Sequence, residues 1–143
     1  MESTVPKAAA PWLLFADGAA RGNPGPAAGG YVLDDGEGRQ RAQGAVVLGA
    51  ATNNVAEYKA LLAGLARALE LGVTALEVRM DSELVVRQMC GVYRVKNEGL
   101  KPLFAEAQAL SRRFAHFRIQ HVPREQNARA DAEANKALDA ARS

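Results

Sequence analysis

The hydrophobic pattern changes period near residue 50, and this most narrows what the chain can fold into. Before that point, short apolar runs at about 12–17, 28–34 and 39–48 are separated by GNPGP and DDGEG, both strong turn formers, and read as three hairpin-connected strands. From Asn54 to Leu71 the pattern becomes helical: Val55, Tyr58, Leu61, Leu62, Leu65 and Leu69 share one face, and Gly72 offers a stop. ALEVRM at 75–80 is strand-like, a short helix covers about 82–90, and Gly91 breaks it. Asn97 is placed to cap a third helix running to about Arg113, with Leu100, Leu103, Phe104, Ala107 and Leu110 in one stripe. Pro102 falls in its first turns, where proline is best tolerated. FRIQHV at 117–122 predicts a fifth strand, and Asn127 begins a last helix to about Ala141. Three hairpin-linked strands followed by alternating helix and strand predict an α/β fold with a five-stranded mixed sheet and helices on both faces.

At 143 residues, the chain has the length of one domain with a single core. Residues 1–10 read as a flexible, Ala-rich tail and 11–143 as the domain, with no internal repeat or linker. No apolar run approaches the roughly 20 residues needed to span a bilayer, so no membrane association is expected. MESTVPKAAAP lacks the basic start and apolar core of a secretory signal. Cys90, the single cysteine, excludes an internal disulfide, fits a reducing cytoplasm and is expected to be a buried small hydrophobe. Nothing requires a protein partner, and a monomer is expected.

The net charge of +2 is unevenly distributed. Residues 87–124 carry eight Lys/Arg against two Glu, so the remainder of the chain is net negative. That remainder holds four carboxylates in distinctive settings: Asp17 after WLLFA, Glu57 one turn into the helix opened by TNN, Asp81 after ALEVRM, and Asp131 early in the last helix. Taken singly, each has a structural reading: Asp17 as a turn residue, Glu57 as a capping-box partner for Asn54, Asp81 as a helix cap, Asp131 as a first-turn dipole partner. Taken together, acids gathered near strand ends without obvious basic partners suggest a divalent-metal site, since crowded carboxylates raise one another's pKa values unless cations compensate. Paired ions serve in-line displacement at phosphorus, and a polyanion would be drawn to the basic half.

DGAARGNPGPAAGGYV, TNNVAEYKALLAGL, MDSELVVRQM and HVPREQNARADAEAN resemble, in order and spacing, the four motifs of the type 1 ribonuclease H family, over roughly residues 12–141. The resemblance implies a ribonuclease H-like fold. It also implies cleavage of the RNA strand of an RNA/DNA hybrid with Mg²⁺, or Mn²⁺ as a substitute, leaving 5′-phosphate and 3′-hydroxyl ends. On that basis Asp17 would bridge two metals, Glu57 and Asp81 would hold the one on the leaving-group side, and Asp131 the one that activates water. Asn23, Asn53 and Asn54 match positions that meet the hybrid in its minor groove, where amides suit a 2′-hydroxyl that both donates and accepts. Thr52 matches a position holding a DNA-strand phosphate at a helix N-terminus. Gly18, with the Gly22–Pro24–Gly25 turn, allows close backbone approach to the nucleic acid.

Three departures from the family pattern shape the remaining expectations. GVYRVKNEGLKP is too short for the basic helical protrusion of many members. Arg94, Lys96 and Lys101, with Tyr93 as a stacking surface, are expected to take its place in part, with weaker and more salt-sensitive binding, and Asn97 is expected among the substrate contacts. Glu83 stands where some members carry an RNA-contacting glutamine. The mobile histidine of many members matches His121 in number, yet His121 falls on a strand; Arg124, three residues on, is better placed to bind a phosphate, though it cannot act as a base. The competing readings are a non-catalytic nucleic-acid-binding module, which missing acids would favour, and a resolvase or exonuclease of the same broad fold, which would not pair GNPGP with TNN.

Overall fold

The computed structural model describes residues 10–141, so the expected tail lies outside the described residues except for Ala10. Five strands form one sheet: β1 (Trp12–Ala20), β2 (Gly25–Asp34), β3 (Gln40–Ala51), β4 (Ala75–Met80) and β5 (His116–His121). Their order is β3-β2-β1-β4-β5; the first three pair antiparallel, while β4 pairs parallel with both β1 and β5. The helices are α1 (Asn53–Glu70), α2 (Glu83–Met89), α3 (Lys101–Ser111) and α4 (Ala128–Ala141), and a 3-10 turn, Arg124–Asn127, precedes α4. This is the mixed sheet that the change of period predicts. No helix among the described residues is long and apolar enough to cross a membrane.

The two sheet faces are unequal. On one, Leu14, Leu33, Leu76, Val78 and Met80 bury themselves against Tyr58, Leu61 and Leu65 of α1, with Val85, Leu100 and Ala107 closing the edges. A fully buried leucine contributes about 1.5–3 kcal/mol, so this face holds most of the fold's apolar stabilisation. On the other, the buried apolar cluster among the described residues is small, Ala28, Ala134 and Leu138 with Ala19 and Ala137 packed against them. Helix α4 therefore relies on close approach and on polar anchoring. A Cβ on Gly30 would sit 2.5 Å from the Ala130 carbonyl oxygen, while one on the neighbouring Gly29 would sit 2.7 Å from the Ala60 nitrogen of α1. Those paired glycines thin β2 so that a helix can seat on each face. The Arg129 guanidinium then donates to both carboxylate oxygens of Asp34, at 3.1 and 2.5 Å, with its carbon 5.2 Å over the Phe15 ring.

Several sequence expectations shift. The first three strands run longer than predicted, because pairing continues through alanines and glycines whose side chains give no alternation signal. Asn97 does not cap α3. Its Oδ1 accepts from the N–H groups of Gly99 (2.8 Å) and Leu100 (3.2 Å), building a turn one step earlier, and α3 starts at Lys101 with Pro102 beside it. Cys90 is exposed rather than buried: Met89 takes the inward position, and Cys90 ends α2 with its Sγ 3.6 Å from the Ile119 carbonyl. Asn127 closes the 3-10 turn, and α4 begins one residue later.

Candidate active site

Strand register places the first two carboxylates. β1 and β4 pair from Trp12↔Leu76 to Phe15↔Arg79, and the same offset carried two residues on sets Asp17 level with Asp81, just beyond the paired segment. Asp17 itself lies within β1, not at its end as expected, because β1 goes on pairing with β2 through Ala20↔Ala27. The splitting of β1 away from β4 opens the space into which both acids point. Helix α1 supplies the third. Thr52 caps it, its Oγ1 accepting from the Val55 N–H at 3.3 Å, and Glu57 follows one turn later. Gly18 makes the approach possible: a Cβ there would lie 2.3 Å from the Glu57 nitrogen. With no side chain between β1 and α1, the Gly18 N–H donates directly to Glu57 Oε1.

Carboxylate oxygens of Asp17, Glu57 and Asp81 all lie within 4.8 Å of one another, with Asp17 and Glu57 buried. Burial, followed by the Glu57 charge and then that of Asp81, pushes the Asp17 carboxyl up to about 10. Burial likewise raises Glu57 to about 7, against hydrogen bonds from Asp17, the Gly18 N–H and Ser82 that favour its ionised form. The two carboxyls are hydrogen-bonded to each other, and both are shifted toward their protonated forms, Asp17 the more strongly. Asp131, on the first turn of α4, is exposed and stands outside the trio, yet it hydrogen-bonds the Asp17 carboxyl and adds to its upward shift.

The basic group near this cluster is Arg124, its Nε 3.8 Å from Asp81 Oδ2 on a side chain that is 91% exposed. This corrects the expectation that the acids have no basic partner. His121 ends β5 opposite Met80, exposed on the sheet's edge strand. Sequence reasoning missed Asn127, read there as a helix start. It is buried, and its Nδ2 donates to the Ala16 carbonyl and to Asp81 Oδ1, both at 2.9 Å, tying the 3-10 turn to β1 and to the third acid. The signal available was an amide four residues before the last acid, and helix-start chemistry accounts for that equally well.

Beside the acids, Asn23, Thr52, Asn54 and Asn97 line one cleft of about 360 Å³ with Gly99 and Leu100. Asn53 belongs to the same rim: its backbone N–H donates to Asn23 Oδ1 at 3.1 Å, fastening the β1–β2 turn to the start of α1. Tyr93 is 42% exposed, with the Arg87 guanidinium 5.6 Å over its ring, and Arg87 also pairs with Glu83 at 3.4 Å. Arg94 and Lys96 are exposed on the helix-free segment between α2 and α3.

Residues 15–137 match the model of the family described as Reverse transcriptase-like. The chain is 47% identical over 125 residues to the ribonuclease HI of Halobacterium salinarum, covering 87% of itself and 63% of that protein. It is 48% identical over 130 residues to the bifunctional protein Rv2228c of Mycobacterium tuberculosis, covering 90% of itself and 36% of that protein. The chain thus spans about a third of the length of the mycobacterial relative. Among solved structures, LC11-RNase H1, isolated from compost and in complex with RNA/DNA hybrid, superimposes with a TM-score of 0.87 at 44% identity, over 92% of this chain and 99% of that one. A mixed sheet of this order, carrying carboxylates where β1 and β4 part, is the ribonuclease H-like fold. The chain belongs to the Reverse transcriptase-like family and, within it, to the type 1 ribonuclease H proteins, in a short form without the basic protrusion.

Proposed function

We propose that this chain is an endoribonuclease that hydrolyses the RNA strand of RNA/DNA hybrids, leaving 5′-phosphate and 3′-hydroxyl ends. The observation that carries the reading is the carboxylate trio within 4.8 Å, set beside a cleft lined by amides. A relative of the same size and fold has been solved with RNA/DNA hybrid, which supports the substrate class.

The donor set fits hard divalent cations. Burial, and then the neighbouring Glu57 and Asp81 charges, push the Asp17 carboxyl up to about 10, so ionised oxygens here call for compensating charge, and Mg²⁺ or Mn²⁺ prefers such oxygens. Asp17, Glu57, Asp81 and Asp131 would hold two ions; when bound, these supply an activated water and neutralise charge on the scissile phosphate. The chain's own residues do the rest. Asn23, Asn53 and Asn54 present amides to 2′-hydroxyls, with Gly18 keeping the β1 backbone close. Thr52, at the N-terminal end of α1, faces a phosphate of the DNA strand, and Asn97 lines the same cleft from the turn before α3. Tyr93 offers a ring for stacking, and Arg94 and Lys96 offer charge. Arg124, exposed beside Asp81, binds the scissile phosphate, with His121 as the alternative assisting group.

End-labelled RNA/DNA hybrid, single-stranded RNA, double-stranded RNA and double-stranded DNA, each with and without Mg²⁺ or Mn²⁺, test this directly. The expected result is cleavage confined to the RNA strand of the hybrid, abolished by EDTA and restored by added metal. Cleavage that persists in EDTA would overturn the metal reading, and an intact hybrid under all conditions would overturn the activity.

A further inference from the structure

Asp131 differs from the other three acids in having little around it: it is exposed, on the first turn of a helix held by a small apolar cluster. A carboxylate in water rotates freely, so something must select its rotamer if it is to serve a fixed site. Besides its hydrogen bond to the Asp17 carboxyl, the contact that does so is local. Asn135, one turn further along α4, donates from Nδ2 to Asp131 Oδ1 at 3.2 Å and to the Asp131 carbonyl at 3.0 Å.

An asparagine amide could flip and offer its oxygen instead, which would repel the carboxylate. Arg21 prevents this. Its Nη2 lies 3.3 Å from Asn135 Oδ1 and 2.7 Å from Asp139 Oδ1, one turn beyond. A guanidinium only donates, so it accepts no orientation of Asn135 but the one that points Nδ2 at Asp131. Arg21 in turn sits on the β1–β2 connection: its N–H donates to the Pro26 carbonyl at 2.8 Å, and Asn23, two residues on, holds the start of α1. The turn that lines the amide cleft and the helix that bears the fourth carboxylate are thus joined through two side chains.

We propose that Asn135 is a positioning residue for Asp131, with its amide oriented by Arg21, so that the Gly22–Gly25 turn and the fourth carboxylate are set as one unit. The inference rests on the hydrolytic reading above. Asn135 touches neither substrate nor metal; it acts through Asp131, as partners behind a metal ligand do, where loss costs about tenfold or more in affinity or rate.

The test uses the full chain with Asn135→Ala, Arg21→Ala and the double variant. Readouts are kcat and KM on RNA/DNA hybrid, the Mg²⁺ concentration at half-maximal rate, and Mn²⁺ binding to the nucleic-acid-free protein by calorimetry. Wild-type cleavage of the hybrid is the control; its failure would defeat the functional reading rather than this one. Asn135→Ala should lower kcat about tenfold with KM nearly unchanged, raise the Mg²⁺ requirement and weaken the Mn²⁺ isotherm, while thermal unfolding shows an intact fold. Arg21→Ala should have little further effect on kcat once Asn135 is gone, since both act on the same group. Wild-type kcat and Mn²⁺ binding in Asn135→Ala, or losses that multiply fully in the double variant, would overturn the proposal.

Discussion

Asp17 is the residue whose surroundings oppose its charge most strongly. Its carboxyl is raised to about 10 and that of Glu57 to about 7, both above their ordinary values. A raised folded-state pKa means that the folded protein holds protons the unfolded chain releases. The associated stability is full below about pH 4 and is lost as pH rises through about 7 for Glu57 and about 10 for Asp17. The site's contribution to the melting temperature of the metal-free protein should therefore fall between pH 5 and 9, and the gain from added Mg²⁺ should grow over that interval; scanning calorimetry with and without Mg²⁺ measures both. Asp17→Asn should flatten the pH dependence, raise the metal-free melting temperature by several degrees at pH 8 and abolish cleavage. Near-normal activity in that variant would sink the catalytic assignment. At the same scale, Arg124→Ala should slow turnover about tenfold and His121→Ala less, because Arg124 stands 3.8 Å from Asp81 while His121 ends an exposed edge strand. A pre-steady-state comparison of the two variants decides between them.

Helix α4 is the element most exposed to disruption, since its apolar cluster is small and Asp131 moves with it. Gly30→Ala would push a methyl carbon to 2.5 Å from both the Ala130 oxygen and the Ala134 nitrogen, which are backbone atoms that cannot rotate away. The expected loss is about 1–3 kcal/mol of stability, together with a disproportionate loss of activity as Asp131 is displaced. Denaturant unfolding and hybrid cleavage, measured on the same preparation, separate the two effects. The elements themselves were legible from the chain: period-2 runs bounded by GNPGP and DDGEG and a helical stripe from Val55 to Leu69 gave their types and order. Their ends were less so. Alanines and glycines in β1 to β3 bear no alternation, and only the partner strands prolong the pairing. The Asn97 side chain has the chemistry of a cap without showing which turn it closes.

For the whole molecule, the separation of charge has a measurable consequence. Eight Lys/Arg lie within residues 87–124, while the carboxylate trio lies outside that segment. Raising NaCl from 50 to 200 mM should increase KM for the hybrid steeply, by about 10- to 40-fold if the chain makes two or three phosphate contacts, and change kcat far less. Replacing Arg94 and Lys96 together with alanine should reduce that salt slope; an unchanged slope would place the contacts elsewhere.

Local chemistry written in the chain determined a great deal: the α/β order, the four acids, the amide-bearing turn and cap, and the short segment where a protrusion would stand. Those features are readable because turn formers, caps and periodic apolar residues act over a few positions. The tertiary structure decided what depends on distant partners. It set Asp17 level with Asp81 by strand register, let Glu57 reach the Gly18 N–H across a missing side chain, and buried Asn127 between Ala16 and Asp81. It also left Cys90 exposed and brought Arg21 to Asn135, the neighbour of Asp131 one turn along α4. These contacts join residues far apart in sequence or choose between rotamers, and no local periodicity encodes which groups will meet when two helices close on a sheet.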